Sequence, residues 1–141
     1  MKTLFVFVAT CAVAAGQSTE QSIAGTWTAQ FEGRTYVRLQ LSSVNGAVTG
    51  GITLGNLEVD KAGAVRRVGD PPPDLKPISQ VAQRASIITF AVAGGDEPDR
   101  FEFKLIETGR AELTLLLSDE DREDLKAEGI PIPRPIRLTK R

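Results

Sequence analysis

The chain has 141 residues, 41% of them hydrophobic and 25% charged, and its 17 basic and 18 acidic side chains give a formal net charge of −1. These values are those of one ordinary globular domain, so they argue against a disordered chain, a fibrous repeat and a two-domain protein. The near-neutral charge gives no electrostatic footprint for nucleic acid, and no stretch after the N-terminal region is apolar enough for a transmembrane helix.

The N-terminus has the organisation of a secretory signal peptide. Lys2 supplies one positive charge, residues 4–15 are mostly apolar, and this run ends in small residues. It is too short to span a bilayer, which requires roughly 20 apolar residues. We expect residues 1–15 to be removed, residues 16–22 to form a flexible leader, and residues 23–141 to be a single exported domain, periplasmic or extracellular. The alternatives are a buried first strand and a lipid anchor on Cys11.

From Ile23 onward, apolar and polar residues alternate, and this period of two predicts strands with one buried face. Asn45-Gly46 predicts a tight hairpin, because both residues tolerate positive φ. A short strand over 57–59 is followed by a turn over 61–63. The residues expected to face the core along the successive longer strands are Trp27, Ala29 and Phe31, then Val37, Leu39 and Leu41, then Val48, Ile52 and Leu54, then Ile88, Phe90 and Val92, then Phe101, Phe103 and Leu105, and finally Leu113, Leu115 and Leu117.

Proline marks the middle of the chain. Residues 66–77 contain four prolines, and because proline removes backbone donors they are predicted to form a surface loop. Residues 78–85 fit either a helical turn or a short strand.

One helix is predicted near the C-terminus. Ser118 is a good N-cap, the acidic residues 119–121 complement the helix dipole, and Gly129 is placed to end the helix. Residues 130–135 alternate isoleucine or arginine with proline and predict a rigid return path to a last strand at 136–138. A polyproline ligand around Arg134 is the alternative.

About eight strands joined mostly by hairpins predict an all-β fold, namely a small closed antiparallel β-barrel with one short helix before the last strand. A β-sandwich is the alternative architecture.

The chain lacks several catalytic residue types. It contains no histidine, and its single cysteine lies in the predicted signal peptide, so His-based and Cys-based nucleophilic catalysis and zinc sites are not expected. The acidic run 119–124 lacks the EF-hand glycine at Asp124 and the glutamate at Ile130. Glu102 and Glu112 alternate with apolar residues and are expected on the outer face of the sheet. We therefore expect a protein that is not an enzyme and has neither cofactor nor metal.

Gly25-Thr26-Trp27 at the start of the first strand resembles the G-x-W opening of lipocalin and avidin-like barrels, the calycins. The hairpin over residues 45–50 resembles that of avidin-like proteins, and the whole pattern is similar to small exported bacterial domains of unknown function. The resemblance implies that Trp27 lies at the closed end of the barrel beneath an arginine of the last strand, Arg137, in a cation–π contact. The biotin site of avidins is not implied, because it uses several tryptophans and this chain has one.

Two functions fit these observations. The first is an interaction or structural module of the cell envelope, which contacts an envelope protein through the 69–77 loop or the 118–135 segment. The second is a carrier that holds a small apolar molecule in the barrel interior. The residues expected to line such an interior site are Trp27, Phe31, Leu39, Phe90 and Phe103. The same side chains would equally fill a packed core.

Overall fold

The computed structural model describes residues 23–141, so the predicted signal peptide and leader lie outside the described residues. The strands are β1 (Gly25–Phe31), β2 (Arg34–Val44), β3 (Ala47–Leu54), β4 (Leu57–Val59), β5 (Val65–Val68), β6 (Lys76–Arg84), β7 (Ile87–Val92), β8 (Asp99–Glu107), β9 (Arg110–Leu116) and β10 (Ile136–Lys140). A single described helix, α1 (Asp119–Ala127), precedes β10.

Eight strands form a closed antiparallel barrel in the order β1, β10, β9, β8, β7, β6, β3, β2, which confirms the predicted fold class. The ring is closed where β10 pairs with β1, with Trp27 opposite Lys140. The remaining strands, β4 and β5, form a separate two-stranded ribbon, and Val68 of β5 belongs to the core. A closed ring leaves its strands without the free edges of an open sheet.

The alternation of side chains explains why the strands form. Along β2, Val37, Leu39 and Leu41 are buried, whereas Arg38 and Gln40 between them are exposed. The predicted hairpin between β2 and β3 is present, with Asn45 at φ 52° and Gly46 at φ 79°. Both central residues therefore have the positive φ that a two-residue type I′ turn requires.

The two ends of the barrel are built differently. At the closed end, strands are joined by the two-residue turns 45–46, 85–86 and 108–109. At the opposite end, which we call the loop end, the connections include 55–75, which contains the β4–β5 ribbon, 93–98, and 117–135, which contains α1. Antiparallel pairing places all of these longer connections at one end.

The prediction that residues 66–77 form a surface loop is wrong at both ends of that segment. Residues 65–68 form β5, and Lys76 begins β6, with Pro77 opposite Gly51 in the ladder. Most side chains of β5 and β6 are exposed, so these strands lack the alternation of buried and exposed residues by which strands are predicted from the sequence. Pro77 is tolerated because it lies at the start of a strand, where proline disturbs a ladder least. Residues 78–84 are strand, not a helical turn.

The β3–β6 ladder is one of the two shortest ladders of the barrel wall. The other is the β1–β10 ladder that closes the ring. The β3–β6 ladder consists of two residue pairs, Gly51 with Pro77 and Ile52 with Lys76. Beyond Ser79 the register of β6 shifts against β7, and Gln80 has φ 48°. Bulges bend a strand, and β6 pairs with β3 only before this bulge. Ile78 and Val81 are half-buried at this seam.

Candidate functional site

The residues predicted to line an interior ligand site lie in the barrel as follows. Trp27, Leu39, Phe90 and Phe103 have no exposed surface, whereas Phe31 is half-buried at the loop end of β1. The Trp27 and Phe103 rings meet edge to face, with centroids 5.1 Å apart, and the Phe90 ring stacks on that of Phe101, with centroids 5.7 Å apart. Trp27, Leu39, Phe90 and Phe103 belong to one hydrophobic cluster of the barrel, and Phe31 packs against it as a partly buried residue.

Trp27 is fixed at the closed end by contacts on both sides of its ring system. Its indole Nε1 donates a hydrogen bond to the main-chain oxygen of Ile23 at 2.8 Å. The ammonium of Lys140 lies 5.8 Å from the ring centroid, within range of a cation–π contact. Gly25 makes room for this lysine, because a β-carbon there would lie 2.8 Å from Lys140 Cε, and φ is +134°. The positive φ favours glycine at this position of the G-x-W pattern, and a side chain there would also shift the end of Lys140.

The resemblance assigned this cation to Arg137, and that assignment is wrong. On β10, Ile136 and Leu138 are buried, so the alternation turns Arg137 outward. Lys140 has the same parity as the two buried residues and crosses the closed end. The spacing Ile136, Leu138, Lys140 was the sequence signal that would have identified the lysine.

A small depression lies at the loop end, outside the predicted set of site residues. Its volume is about 170 Å³, and its buried lining residues include Ile52, Thr53 and Phe101. Asp74 and Asp99 are exposed at its rim. Drug-sized ligands occupy pockets of about 300–1,000 Å³, so this depression is suited to a smaller molecule.

Thr53 shows how the loop after β5 contributes to this depression. The alternation of β3 turns Thr53 away from the barrel interior, yet it is buried. Leu75 packs against the outer surface of β3 at Gly51, where a β-carbon would lie 2.9 Å from Leu75 Cβ. Residues 72–75 therefore cover part of the outer wall. The alternation of apolar and polar residues predicts a strand with one buried face. It could not predict that a loop also covers the outer face of β3.

Helix α1 is held at its two ends, not by the core. The Ser118 hydroxyl accepts a hydrogen bond from the Asp121 N–H at 3.0 Å, which confirms the predicted N-cap. Gly129, at φ 71°, donates to Lys126 O at 3.2 Å, and Ile130 donates to Leu125 O at 2.8 Å. These two bonds form a Schellman motif. No residue of the helix is buried, so α1 stands on the surface of the domain.

The proline segment that follows α1 is fastened to the ribbon. Arg134 donates from its main-chain N–H to Gly63 O and from its guanidinium Nε to Ala62 O, each at 2.9 Å. Asp60 Oδ1 in turn accepts from the N–H groups of Ala62 and Ala64 and shapes this turn. Arg134 therefore pins residues 130–135 across the loop end.

An apolar groove separates α1 from the proline segment. Ile130 and Ile132 are 46% and 40% exposed and line it. Its other walls are Arg122, Glu123 and Lys126 of the helix, and its volume is about 320 Å³. We call this feature the isoleucine groove. Both basic residues of α1 lie on it, although the helix is predominantly acidic.

Comparison of the chain with known protein families, curated proteins and solved structures finds no match. Within residues 23–141 there is no group of carboxylates, histidines or cysteines arranged to hold a metal ion. The helix of this same region is too short and too polar to cross a membrane.

Proposed function

We propose that this protein is an exported, non-catalytic β-barrel that acts as an interaction module of the cell envelope or the extracellular space. The observation that supports the proposal most is the isoleucine groove, an apolar surface held rigidly outside a barrel whose centre is packed with side chains. The G-x-W opening of the first strand supports a calycin-like relationship, whereas a lysine lies over the tryptophan in place of the arginine of that pattern. Export rests on the N-terminal charge and the apolar run after it.

The rigidity of the groove favours binding. The Schellman motif fixes the helix end, and Arg134 fixes the proline segment, so the two isoleucines are ordered before any partner arrives. A surface that is already ordered loses less entropy on association. Two large aliphatic side chains exposed side by side are a common feature of interaction sites.

The charges around the groove indicate the chemistry of the partner. Arg122 and Lys126 are one helical turn apart, and they flank the isoleucines, with Glu123 between them. A complementary segment would present one or two apolar side chains with acidic neighbours. We propose that the occupant is such an acidic and apolar segment of an envelope protein.

A carrier of small apolar molecules is the second candidate. The depression of about 170 Å³ at the loop end favours it, because Ile52 and Phe101 offer buried apolar surface there. The ligand of such a carrier would bind at the loop end of the barrel and not among the buried aromatic side chains.

The test compares the double variant Ile130→Glu and Ile132→Glu with a control double variant, Val44→Glu and Ile106→Glu. Val44 and Ile106 are 59% and 51% exposed and lie beside the turns 45–46 and 108–109 at the closed end, so the control adds the same two charges far from the groove. Each purified protein would be cross-linked in an envelope extract, the partner identified by mass spectrometry, and its affinity measured with purified components. We expect the groove variant to lose affinity at least about tenfold and the control to bind like the wild type.

Two results would contradict the interaction module. One is equal binding of the partner by the groove and control variants. The other is a rise in melting temperature of the wild type with small apolar molecules, combined with failure to bind any envelope protein, which would favour the carrier. A ligand that binds only the folded state raises its stability by mass action.

A further inference from the structure

The charges of the barrel wall are distributed unevenly. Six strands that are neighbours around the ring, β10, β1, β2, β3, β6 and β7, contain no aspartate or glutamate. The carboxylates of the barrel strands lie on β8 and β9. The net charge of −1 hides this separation, since most remaining acidic residues belong to the loop end and α1.

Two arginines line a small recess on the outer face of β1, and a third arginine lies on the neighbouring strand β2. Thr28 lies opposite Arg38 on β2 and opposite Thr139 on β10. Arg137 precedes Thr139 by two residues on the outer face of β10, and Arg141, directly after the end of β10, lines the same recess. Thr28 is only 6% exposed, although the alternation of β1 turns it outward. It therefore forms the floor of a recess with arginine walls.

The recess has a defined size and lining. Its volume is about 420 Å³, and it is lined by Thr28, Ala29, Gln30, Arg137, Thr139 and Arg141. We call this feature the arginine groove. The main-chain N–H of Arg141 donates to Thr26 O at 2.9 Å, which continues the β1–β10 pairing to the end of the groove.

The arginines of this face are not neutralised by carboxylates. Within residues 23–141, Arg38, Arg137 and Arg141 form no ion pair, whereas Arg110 on β9 pairs with Glu107 at 3.0 Å. Glu112 lies opposite Arg137 in the ladder but is not within ion-pair distance of it. The guanidinium donors at this groove are therefore available to an external anion.

We propose that the arginine groove binds an oxyanion, namely the phosphate or sulfate group of an ester. A guanidinium presents a planar fork of donors that matches two oxygens of such a group. The hydroxyls of Thr28 and Thr139 supply neutral donors at the floor. This inference is independent of the proposed interaction module, because the arginine groove is a basic surface, the isoleucine groove is an apolar one, and the two share no residue.

The test measures binding of inorganic phosphate and inorganic sulfate to the full exported domain by titration calorimetry at low salt. The variants are Arg137→Gln and Arg141→Gln, and the control is Arg84→Gln, which removes an exposed cation from β6. We expect saturable binding by the wild type and the control. Each groove variant should lose affinity about tenfold or more, the usual effect of removing one hydrogen-bonded charge from an anion site. Because these side chains lie on the outer wall, the melting temperature should not change.

A second arm distinguishes a soluble ester from a lipid headgroup. Vesicles of phosphatidylglycerol and of phosphatidylcholine would be sedimented with each protein. Binding of free phosphate or sulfate that the groove variants lose supports a soluble ester. Binding of phosphatidylglycerol vesicles alone, lost in the same variants, supports the same oxyanion on a lipid. Absence of both, or an equal loss in Arg84→Gln, would overturn the proposal.

Discussion

The closed end and the loop end of the barrel differ in how the same strands are connected. At the closed end, two-residue turns, a buried tryptophan and a lysine laid across it leave little surface to adapt. At the loop end, a ribbon, a helix and a proline segment are fastened to one another mainly by hydrogen bonds at their termini. Short turns at the closed end leave the ring of strands compact there, whereas the long connections at the loop end provide most of the surface on which recognition can occur.

The largest expected effect separates two aromatic residues of β1 that lie at opposite ends. Trp27→Ala should cost about 3–5 kcal/mol of unfolding free energy, since it empties a fully buried site and removes the contact with Phe103. Phe31→Ala should cost only about 1–2 kcal/mol, because this ring is half-buried. Urea unfolding followed by circular dichroism would measure both, as Trp27 is the single tryptophan and fluorescence is lost with it. Equal costs would show that the loop end is as tightly packed as the closed end.

A smaller effect is expected from two glycines with positive φ. Gly25→Ala should cost about 1–3 kcal/mol, because it strains the backbone at φ +134° and displaces Lys140 from Trp27. Gly129→Ala at the end of α1 should cost about 1 kcal/mol, since φ is +71° but no atom lies near the added methyl group. Thermal unfolding of the two variants would measure the difference. A reversed order would mean that the Lys140 contact contributes nothing.

The smallest effect at neutral pH concerns Tyr36, the extra residue of the bulge where β2 leaves register with β1. Burial raises the pKa of Tyr36 above its ordinary value of 10.0. The folded protein therefore keeps the phenol protonated where the unfolded chain ionises, so the stabilisation is complete below pH about 10 and is lost as pH rises through the folded pKa. Tyr36→Phe should leave stability at pH 7 nearly unchanged and remove this alkaline decline. Unfolding free energies measured from pH 7 to 11 would test it, and an identical decline in both proteins would contradict the assignment.

The sequence predicts the closed end better than the loop end. Strands with one covered face, such as β2 and β8, alternate clearly, and Asn45-Gly46 specifies a tight turn at the closed end. At the loop end, Ser118 specifies the helix cap locally. The ribbon and β6 lack this signal, because both faces of these strands are largely exposed. Period-two patterns report burial of a face, so strands stabilised mainly by backbone pairing escape them.

The surfaces proposed for binding could be predicted only in part. The 118–135 segment is evident from its cap, its acidic first turn and its prolines, but the fastening of Arg134 to residues 62 and 63 depends on the tertiary fold. The arginine groove has no local signature at all. Arg38 and Arg137 are far apart in the chain, and only the register of the closed barrel brings their strands to the two sides of Thr28.

The pairing of β1 with β10 also governs how the domain reaches its folded state. These strands lie near opposite ends of the described chain, and their ladder is short. Contacts of such long sequence separation form late, because the entropy of closing the loop must be overcome first. Until residues 136–140 are available for pairing, β1 and β9 keep unpaired edges that can pair with other chains. We therefore expect ring closure to remove the last free edges of the barrel wall and with them its tendency to pair with other chains.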